Sequence, residues 1–408
     1  MTTRRGAARL AKGTFKALRL LAKPVRRSQG KAGTVVETYR GYGSRDEVFL
    51  IGRVFRQSQR GANGAEEGWA AELRDIRRRI TRRSVAGAVL TARFAGCSDE
   101  VVTDRDGYFR VHLYPRLAEP PDACWHTLEL DLAGPEPVRA QGRIFIPSAR
   151  CRRVIISDID DTIMRTGVAN KLKMLWRLFV EDAENRVAFP GAAALYRALY
   201  AGPCGGEDNP MLYVSRAPWG IYDMLSEFFT LHRIPVGPVM FLREWGLSWK
   251  SPLPRRAEDH KRDLIEHMLS LYHDLPFVLI GDSGQHDPEV YGQIVAAHPG
   301  RVAAVYIRNV SPGADRIAEI AKLARAVEIA GSSLVLAADS LAMAEHAAEH
   351  GFIDPAAVAE VAREWGADEA VRTPPDRTPA HALRDVLDGA ATPPNVIVEP
   401  TPPDRPVR

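Results

Sequence analysis

Short runs that are almost continuously apolar alternate with amphipathic stretches between residues 151 and 310. Runs without polar alternation are typical of strands covered on both faces, as in a parallel sheet. Five such runs predict strands at residues 153–158, 211–215, 238–243, 277–282 and 302–307. The amphipathic stretches between them predict helices at residues 192–199, 221–232, 257–272 and 288–297. This alternation predicts a doubly wound α/β domain.

The sequence before residue 151 has a different pattern. Segments rich in β-branched and aromatic residues predict strands at residues 34–39, 47–55, 85–94, 108–114 and within the stretch 125–146. Residues 66–79 predict a helix, and its basic end is either a solvated face or a second contact to membrane phosphates. Asp104 and Asp106 predict a turn between strands; the alternative, a calcium loop, lacks further oxygen ligands downstream. We therefore predict a small β-sandwich-like domain at residues 33–150, without catalytic residues of its own.

After residue 310 the pattern becomes alanine-rich. It predicts helices at residues 315–329, 334–350 and 354–365, which extend the α/β domain to residue 370. Repeated prolines and little periodicity predict a disordered tail at residues 371–408.

Composition narrows the class of protein. The chain has 408 residues, of which 45% are apolar and 26% charged, as in ordinary globular proteins. It contains no uncharged apolar run long enough to predict a transmembrane helix. The four cysteines lie far apart without a CxxC pair, which argues against a disulfide framework or a structural zinc site. We expect a cytoplasmic protein. The sequence does not indicate an oligomeric state.

Residues 1–32 contain ten Lys or Arg and no acidic residue. A helical wheel puts cations on one face and apolar side chains on the other, which predicts a basic amphipathic helix on an anionic membrane surface. The predicted membrane contacts are Lys12, Phe15, Lys16, Leu18, Arg19, Leu21 and Lys23. Lys16 and Arg19 interrupt any secretory signal, whereas a transit peptide is an alternative in a eukaryote. A solvated basic tail is the other alternative, and we do not expect nucleic acid as a partner.

Candidate chemistry lies where the predicted parallel strands end, because reactive groups of open α/β sheets gather at the carboxyl edge. The first strand ends in the DxDxT sequence of Asp158, Asp160 and Thr162. Ser215 ends the second strand, and the fourth runs into Asp282 and, five residues later, Asp287. Lys261 lies near the start of the preceding helix.

This ordered set resembles the haloacid dehalogenase superfamily of phosphohydrolases. The resemblance implies that Asp158 is the nucleophile that forms an aspartyl-phosphate and that Asp160 is the general acid and base. Ser215 and Lys261 would bind and neutralise the phosphate. Mg²⁺ would be held by Asp158, the backbone carbonyl of Asp160, Asp282 and Asp287.

Each of these residues also has a structural interpretation. A strand-end Asp such as Asp158 is often a helix N-cap, and Ser215 is alternatively a turn hydroxyl. Lys261 is alternatively a surface lysine. His286 is interpreted as a loop histidine without direct chemistry.

Longer motifs narrow the resemblance further. Residues 154–163, 213–219, 241–246, 277–291 and 301–308 are similar to the catalytic domain of the actin-patch-associated phosphatidate phosphatases and their bacterial relatives. The resemblance implies magnesium-dependent conversion of phosphatidate to diacylglycerol. The basic N-terminal helix adds the expectation that the protein is peripherally bound to a membrane. One departure is Arg216, which replaces an expected small polar residue and adds a cation to the predicted substrate-binding set of Ser215, Arg216 and Lys261.

The insertion after the first motif is short, so we predict a small cap that leaves the site open to a lipid headgroup or a macromolecule. Residues 164–189 mix apolar side chains with cations, and this stretch either dips into a bilayer or packs on the sheet. Two alternative functions stay open: a phosphatase of soluble phosphomonoesters or phosphoproteins, and a non-enzymatic lipid-binding scaffold.

Overall fold

The computed structural model describes residues 33–56, 83–134, 137–159, 190–215, 219, 222–241, 257–310, 313–372 and 396–398. These residues divide into two compact units. The first comprises the described residues up to Ala149 together with 222–228, and the second comprises the remainder from Arg150 onwards. The predicted N-terminal amphipathic helix, the helix at 66–79, the insert at 164–189 and most of the C-terminal tail lie outside the described residues. No helix in the described ranges is long and apolar enough to cross a membrane.

The first unit is built from nine described strands that form one hydrogen-bonded network, mostly antiparallel. They are β1 (Thr34–Thr38), β2 (Gly41–Gly43), β3 (Val48–Arg56), β4 (Arg83–Ser84), β5 (Val89–Phe94), β6 (Cys97–Val102), β7 (Tyr108–Leu113), β8 (Trp125–Leu132) and β9 (Val138–Phe145). Buried and exposed residues alternate along β9, as expected for a strand with one face on a core. Leu50, Leu90, Val111 and Leu128 come from four of the strands and share one apolar core. The described residues of this unit are therefore rich in strand, whereas the small β-sandwich-like domain at residues 33–150 stays a prediction.

The aspartates of the segment between β6 and β7 form the predicted turn. The Asp104 Oδ1 atom accepts hydrogen bonds from the backbone N–H groups of Asp106, at 3.0 Å, and Tyr108, at 2.9 Å. Gly107 has a φ of 81°, which a residue without a side chain adopts at little cost. The other carboxylate oxygen lies 3.3 Å from Arg110. Backbone donors and a cation thus occupy Asp104, which favours the turn over the calcium alternative.

The second unit contains a seven-stranded sheet in the order β12-β11-β10-β13-β14-β15-β16. Its strands are β10 (Val154–Asp158), β11 (Met211–Ser215), β12 (Val239–Phe241), β13 (Phe277–Asp282), β14 (Val302–Arg308), β15 (Ser333–Ala337) and β16 (Val396–Val398). Its helices are α1 (Ala192–Ala201), α2 (Tyr222–Leu231, shared with the first unit), α3 (Ala257–Leu271), α4 (Asp287–Ala297), α5 (Ala314–Ile329), α6 (Ser340–Glu349) and α7 (Ala357–Arg372). The pairs from β12 to β15 are parallel, which confirms an α/β fold with a parallel sheet.

Two C-terminal predictions differ from the structure. The predicted helix at 334–350 is in fact strand β15 followed by helix α6. The apolar run of β15 is fully buried beside β14, and Asp339 then starts the helix by accepting a hydrogen bond from the Ala342 backbone N–H at 3.0 Å. Within the predicted disordered tail, β16 pairs antiparallel with β15 and supplies the outer strand of the sheet.

The buried His346, which lies between β14 and α6, makes the stability of this unit pH-dependent. His346 is 1% exposed, its Nδ1 atom lies 3.0 Å from the Tyr306 hydroxyl, and its ring stacks on His350. Burial, together with His350, lowers the pKa of His346 from 6.5 to about 4. The unfolded chain therefore binds more protons than the folded chain between these two pH values, and stability falls as the pH falls through that window.

Acidification from pH 6.5 to pH 4 is expected to lower the unfolding free energy of the parent by roughly 2–3 kcal/mol more than it lowers that of His346→Gln. Urea unfolding at a series of pH values measures this difference. The matched control is His273→Gln, because His273 is exposed. A pH dependence of His346→Gln equal to that of the parent would contradict the assignment.

Candidate active site

Three polar residues end neighbouring strands at one edge of the parallel sheet. Asp158 ends β10, Ser215 ends β11 and Asp282 ends β13, and β10 lies between the other two strands. Each of the three residues is 2% exposed or less. Because the strands are parallel, their carboxyl ends share an edge, and this topology positions the candidate site.

Lys261 of α3 joins this cluster from outside the sheet. Its Nζ atom forms ion pairs with Asp158 Oδ2 and Asp287 Oδ1, and the residue is 5% exposed. Burial alone would lower the pKa of Lys261, but the carboxylates of Asp158 and Asp287 raise it well above its ordinary value. Lys261 therefore carries its positive charge throughout the physiological pH range. The side chain is thus buried, and the alternative that Lys261 is a surface lysine is wrong.

Asp287 is the first residue of α4 and lies beside the end of β13. Its Oδ2 atom accepts a hydrogen bond of 3.3 Å from the Asp282 backbone N–H. Burial raises the pKa of Asp287 to about 7; Lys261 acts to lower that pKa, while Asp158 and Asp282 act to raise it. Asp287 thus lies close to two other carboxylates, those of Asp158 and Asp282, and its negative charge is only partly compensated by the Lys261 ammonium.

Gly281 leaves the space that brings Asp287 close to the strand. A Cβ atom built on Gly281 would lie 2.3 Å from Asp287 Oδ2 and 2.8 Å from Asp287 Cβ. Such distances are too short for atoms that are not bonded, so a larger residue would displace the carboxylate. The Gly-Asp sequence at the end of β13 therefore has a packing reason as well as a chemical one.

The loop after β13 orients the carboxylate of Asp282. Its Oδ1 atom accepts hydrogen bonds from the backbone N–H groups of Gly284, at 2.7 Å, and Gln285, at 3.1 Å. The Gln285 side chain lies 3.3 Å from the Oδ2 atom. Two backbone donors on one carboxylate oxygen fix the plane of the carboxylate group.

Asp158, Asp282 and Asp287 are suited to a divalent metal ion. Each offers a carboxylate oxygen, these atoms lie within 4.8 Å of one another, and all three residues are buried. When ionised, three carboxylates and the Lys261 ammonium leave two negative charges that a divalent cation would balance. An all-oxygen ligand set is the kind that Mg²⁺ prefers. The residues present therefore fit the metal expected from the sequence.

The structure brings together four of the predicted site residues: Asp158, Lys261, Asp282 and Asp287. Ser215 lies on the adjacent strand end, one residue beyond the partner of Asp158 in the β10–β11 register. Asp160, Thr162 and Arg216 lie outside the described residues, as do all the predicted membrane contacts. Their roles stay predictions.

Tyr291 of α4 is a site residue to which the sequence analysis assigned no role. The Lys261 Nζ atom lies 5.6 Å from the centre of its ring, and its hydroxyl donates a hydrogen bond of 3.1 Å to the Ile280 carbonyl. The ring thus supports the ammonium group by a cation–π contact while the hydroxyl ties α4 to β13. Tyr291 could have been identified from the sequence by its spacing of four residues from Asp287, since this spacing places both side chains on one helix face.

Gly281→Ala is expected to lower the unfolding free energy by about 1–3 kcal/mol, because the added methyl group collides with Asp287. Thermal or urea unfolding measures the loss. The matched control is Gly292→Ala in α4, where the nearest atom to a new Cβ is Leu323 Cδ2 at 3.7 Å and alanine improves helix propensity. Equal stability of the two variants would contradict the packing argument.

Comparison with known proteins agrees with this geometry. Residues 153–309 match the family model of the phosphatidate phosphatase APP1 catalytic domain. The phosphatidate phosphatase APP1 of Saccharomyces cerevisiae is 31% identical over 155 residues, which are 38% of this chain and 25% of that protein. An uncharacterised protein of Schizosaccharomyces pombe is 28% identical over 156 residues, with the same two shares. The chain thus spans about a quarter of the length of these curated relatives.

Among solved structures, a carbohydrate acetylesterase from Xanthomonas citri is 10% identical over 66% of each chain, with a TM-score of 0.24, which supports no argument about fold. The sequence relatives and the family model concern the segment that contains Asp158, Ser215, Lys261 and Asp282. Residues 153–309 are therefore similar to the catalytic domain of the phosphatidate phosphatase APP1.

Proposed function

We propose that this protein is a phosphatase of phosphomonoesters that acts through an aspartyl-phosphate on Asp158. The observation that carries the proposal is the convergence of Asp158, Asp282 and Asp287 with the Lys261 ammonium at the carboxyl edge of the sheet. The match of residues 153–309 to the family model of a phosphatidate phosphatase catalytic domain supports it independently.

In the first half-reaction, an Asp158 oxygen attacks the phosphorus atom, and the bond from phosphorus to the leaving oxygen breaks. Asp160 protonates that leaving alkoxide, so the alcohol departs neutral. Lys261 remains charged and neutralises the negative charge of the phosphate and of Asp158. The Ser215 hydroxyl donates a hydrogen bond to a phosphate oxygen, and Arg216 adds a second cation at that side.

In the second half-reaction, Asp160 accepts a proton from water, which attacks the phosphorus atom of the aspartyl-phosphate. The bond between phosphorus and the Asp158 oxygen breaks, and inorganic phosphate and free Asp158 result. Asp158, the backbone carbonyl of Asp160, Asp282 and Asp287 would hold Mg²⁺, whose charge stabilises the transferring phosphoryl group.

For the substrate, we propose phosphatidate, which would be converted to diacylglycerol by a cytoplasmic protein held at a membrane surface. Support comes from the yeast relative that is named a phosphatidate phosphatase and from the basic amphipathic sequence of residues 1–32. A phosphatase of soluble phosphomonoesters is the alternative outcome of the substrate test. A non-enzymatic lipid-binding scaffold is disfavoured, because it has no need of a buried lysine between two aspartates.

Phosphate release from phosphatidate is expected to require Mg²⁺ and to fall by at least about a thousandfold in Asp158→Asn, since an amide does not replace the carboxylate nucleophile. Phosphate assay with and without EDTA measures both effects. Asp259→Asn is the matched control, because Asp259 is exposed on α3. Activity of Asp158→Asn equal to that of the parent would refute the nucleophile assignment, and full activity in EDTA would refute the metal requirement.

Deletion of residues 2–32 is expected to reduce turnover of phosphatidate in anionic vesicles about tenfold while leaving turnover of p-nitrophenyl phosphate unchanged, because the segment acts on membrane binding alone. The two rates are measured on the same preparation. Unchanged activity on vesicles would contradict the membrane role of the segment. A strong preference of the parent for soluble esters would instead favour the alternative substrate class.

A further inference from the structure

Arg316 of α5 lies against the loop that follows β13, and its side chain is 21% exposed. Its Nε atom donates a hydrogen bond of 3.0 Å to the Ser283 carbonyl, and its Nη2 atom donates one of 2.8 Å to the Gln285 carbonyl. The same guanidinium group pairs through both terminal nitrogens with the carboxylate of Glu289 in α4. One side chain thus joins two loop carbonyls to the following helix.

One of the two carbonyls that Arg316 holds, that of Ser283, belongs to a peptide group that orients Asp282. The peptide group between Ser283 and Gly284 accepts from Arg316 at its carbonyl, while its N–H donates to Asp282 Oδ1 at 2.7 Å. A planar peptide group cannot turn its N–H without also turning its carbonyl. The direction of the donor on Asp282 is therefore fixed by the guanidinium group on the opposite side of the same peptide.

Hydrogen bonds at both ends of one peptide group also strengthen one another, because each polarises the group in the same sense. The cation at the carbonyl makes the N–H a stronger donor to the carboxylate. Arg316 keeps its positive charge, because the hydrogen bond to Glu289 raises the pKa of Arg316. At metal sites, the hydrogen-bond partners of a ligating carboxylate control its orientation and its basicity.

We propose that Arg316 is a positioning residue for the metal site, which sets the orientation of the Asp282 carboxylate through the Ser283–Gly284 peptide group. This inference rests on the proposed role of Asp282 as a ligand of Mg²⁺. Only arginine has the planar fork needed to reach both carbonyls and the Glu289 carboxylate together, so lysine does not replace it.

The test is the affinity of the full chain for Mg²⁺, measured by isothermal titration calorimetry in the absence of substrate. Arg316→Lys and Arg316→Gln are expected to bind Mg²⁺ roughly tenfold more weakly than the parent, the usual size of an effect transmitted through a ligand's hydrogen-bond partners. The concentration of Mg²⁺ that gives half-maximal activity is expected to rise by the same factor, with kcat at saturating Mg²⁺ little changed. Arg325→Gln is the matched control, because Arg325 is exposed on the same helix.

Glu289→Gln separates positioning from simple attachment of α5 to α4. It weakens the pairing with Arg316 but leaves the donors to both carbonyls, so stability is expected to fall while Mg²⁺ affinity stays within about twofold of the parent value. If Arg316→Gln does not fold, Arg316→Lys and Glu289→Gln still give the comparison. Parental Mg²⁺ affinity in a folded Arg316 variant, or an equal loss in Glu289→Gln, would overturn the proposal. A parent that binds no Mg²⁺ would instead refute the proposed metal site itself.

Discussion

The buried ion pairs of Lys261 with Asp158 and Asp287 are the constraint on which the candidate site depends. A charged group removed from water is stable only when opposite charges and hydrogen-bond partners surround it. Lys261 meets this condition by bringing α3 against the end of β10 and the start of α4. Removal of one partner would leave the others buried and uncompensated, a change that costs about 3–5 kcal/mol in other proteins.

Helix α4 meets the same constraint from the opposite side. Its first residue, Asp287, lies where the helix dipole favours a negative charge, and Gly281 leaves the room for its carboxylate. Tyr291 then covers the Lys261 ammonium with its ring one turn later. A strand end, a helix start and a glycine together hold more negative charge in one place than Lys261 neutralises, which is the condition that makes a divalent cation favourable.

Much of the α/β domain was predictable from the sequence, because fully buried parallel strands leave continuous apolar runs. Strands β11 and β13 have the predicted bounds, and the strand-end residues Ser215 and Asp282 followed from them. The same rule failed at β15, since its apolar run stands next to the alanine-rich helix α6 and the two merge into one apparent helical pattern. Strand β6 was missed as well, because three of its six residues are polar or charged at consecutive exposed positions.

Contacts that depend on backbone atoms left no signal in the sequence. Arg316 is far along the chain from Asp282 and reaches it through carbonyl and N–H groups that every residue carries. Lys261, by contrast, was a candidate because of its place in the motif order, and the structure buries it between two carboxylates. Asp160 and Arg216 lie outside the described residues, so their roles rest on the sequence alone.

The most direct test of the account is anomalous diffraction from crystals of the full chain soaked in Mn²⁺, which favours the same octahedral oxygen coordination as Mg²⁺. We expect one strong anomalous peak at the edge of the sheet, about 2–2.4 Å from carboxylate oxygens of Asp158 and Asp282, with Asp287 beside it. A peak elsewhere, or none at this edge when the crystals are saturated with Mn²⁺, would contradict it.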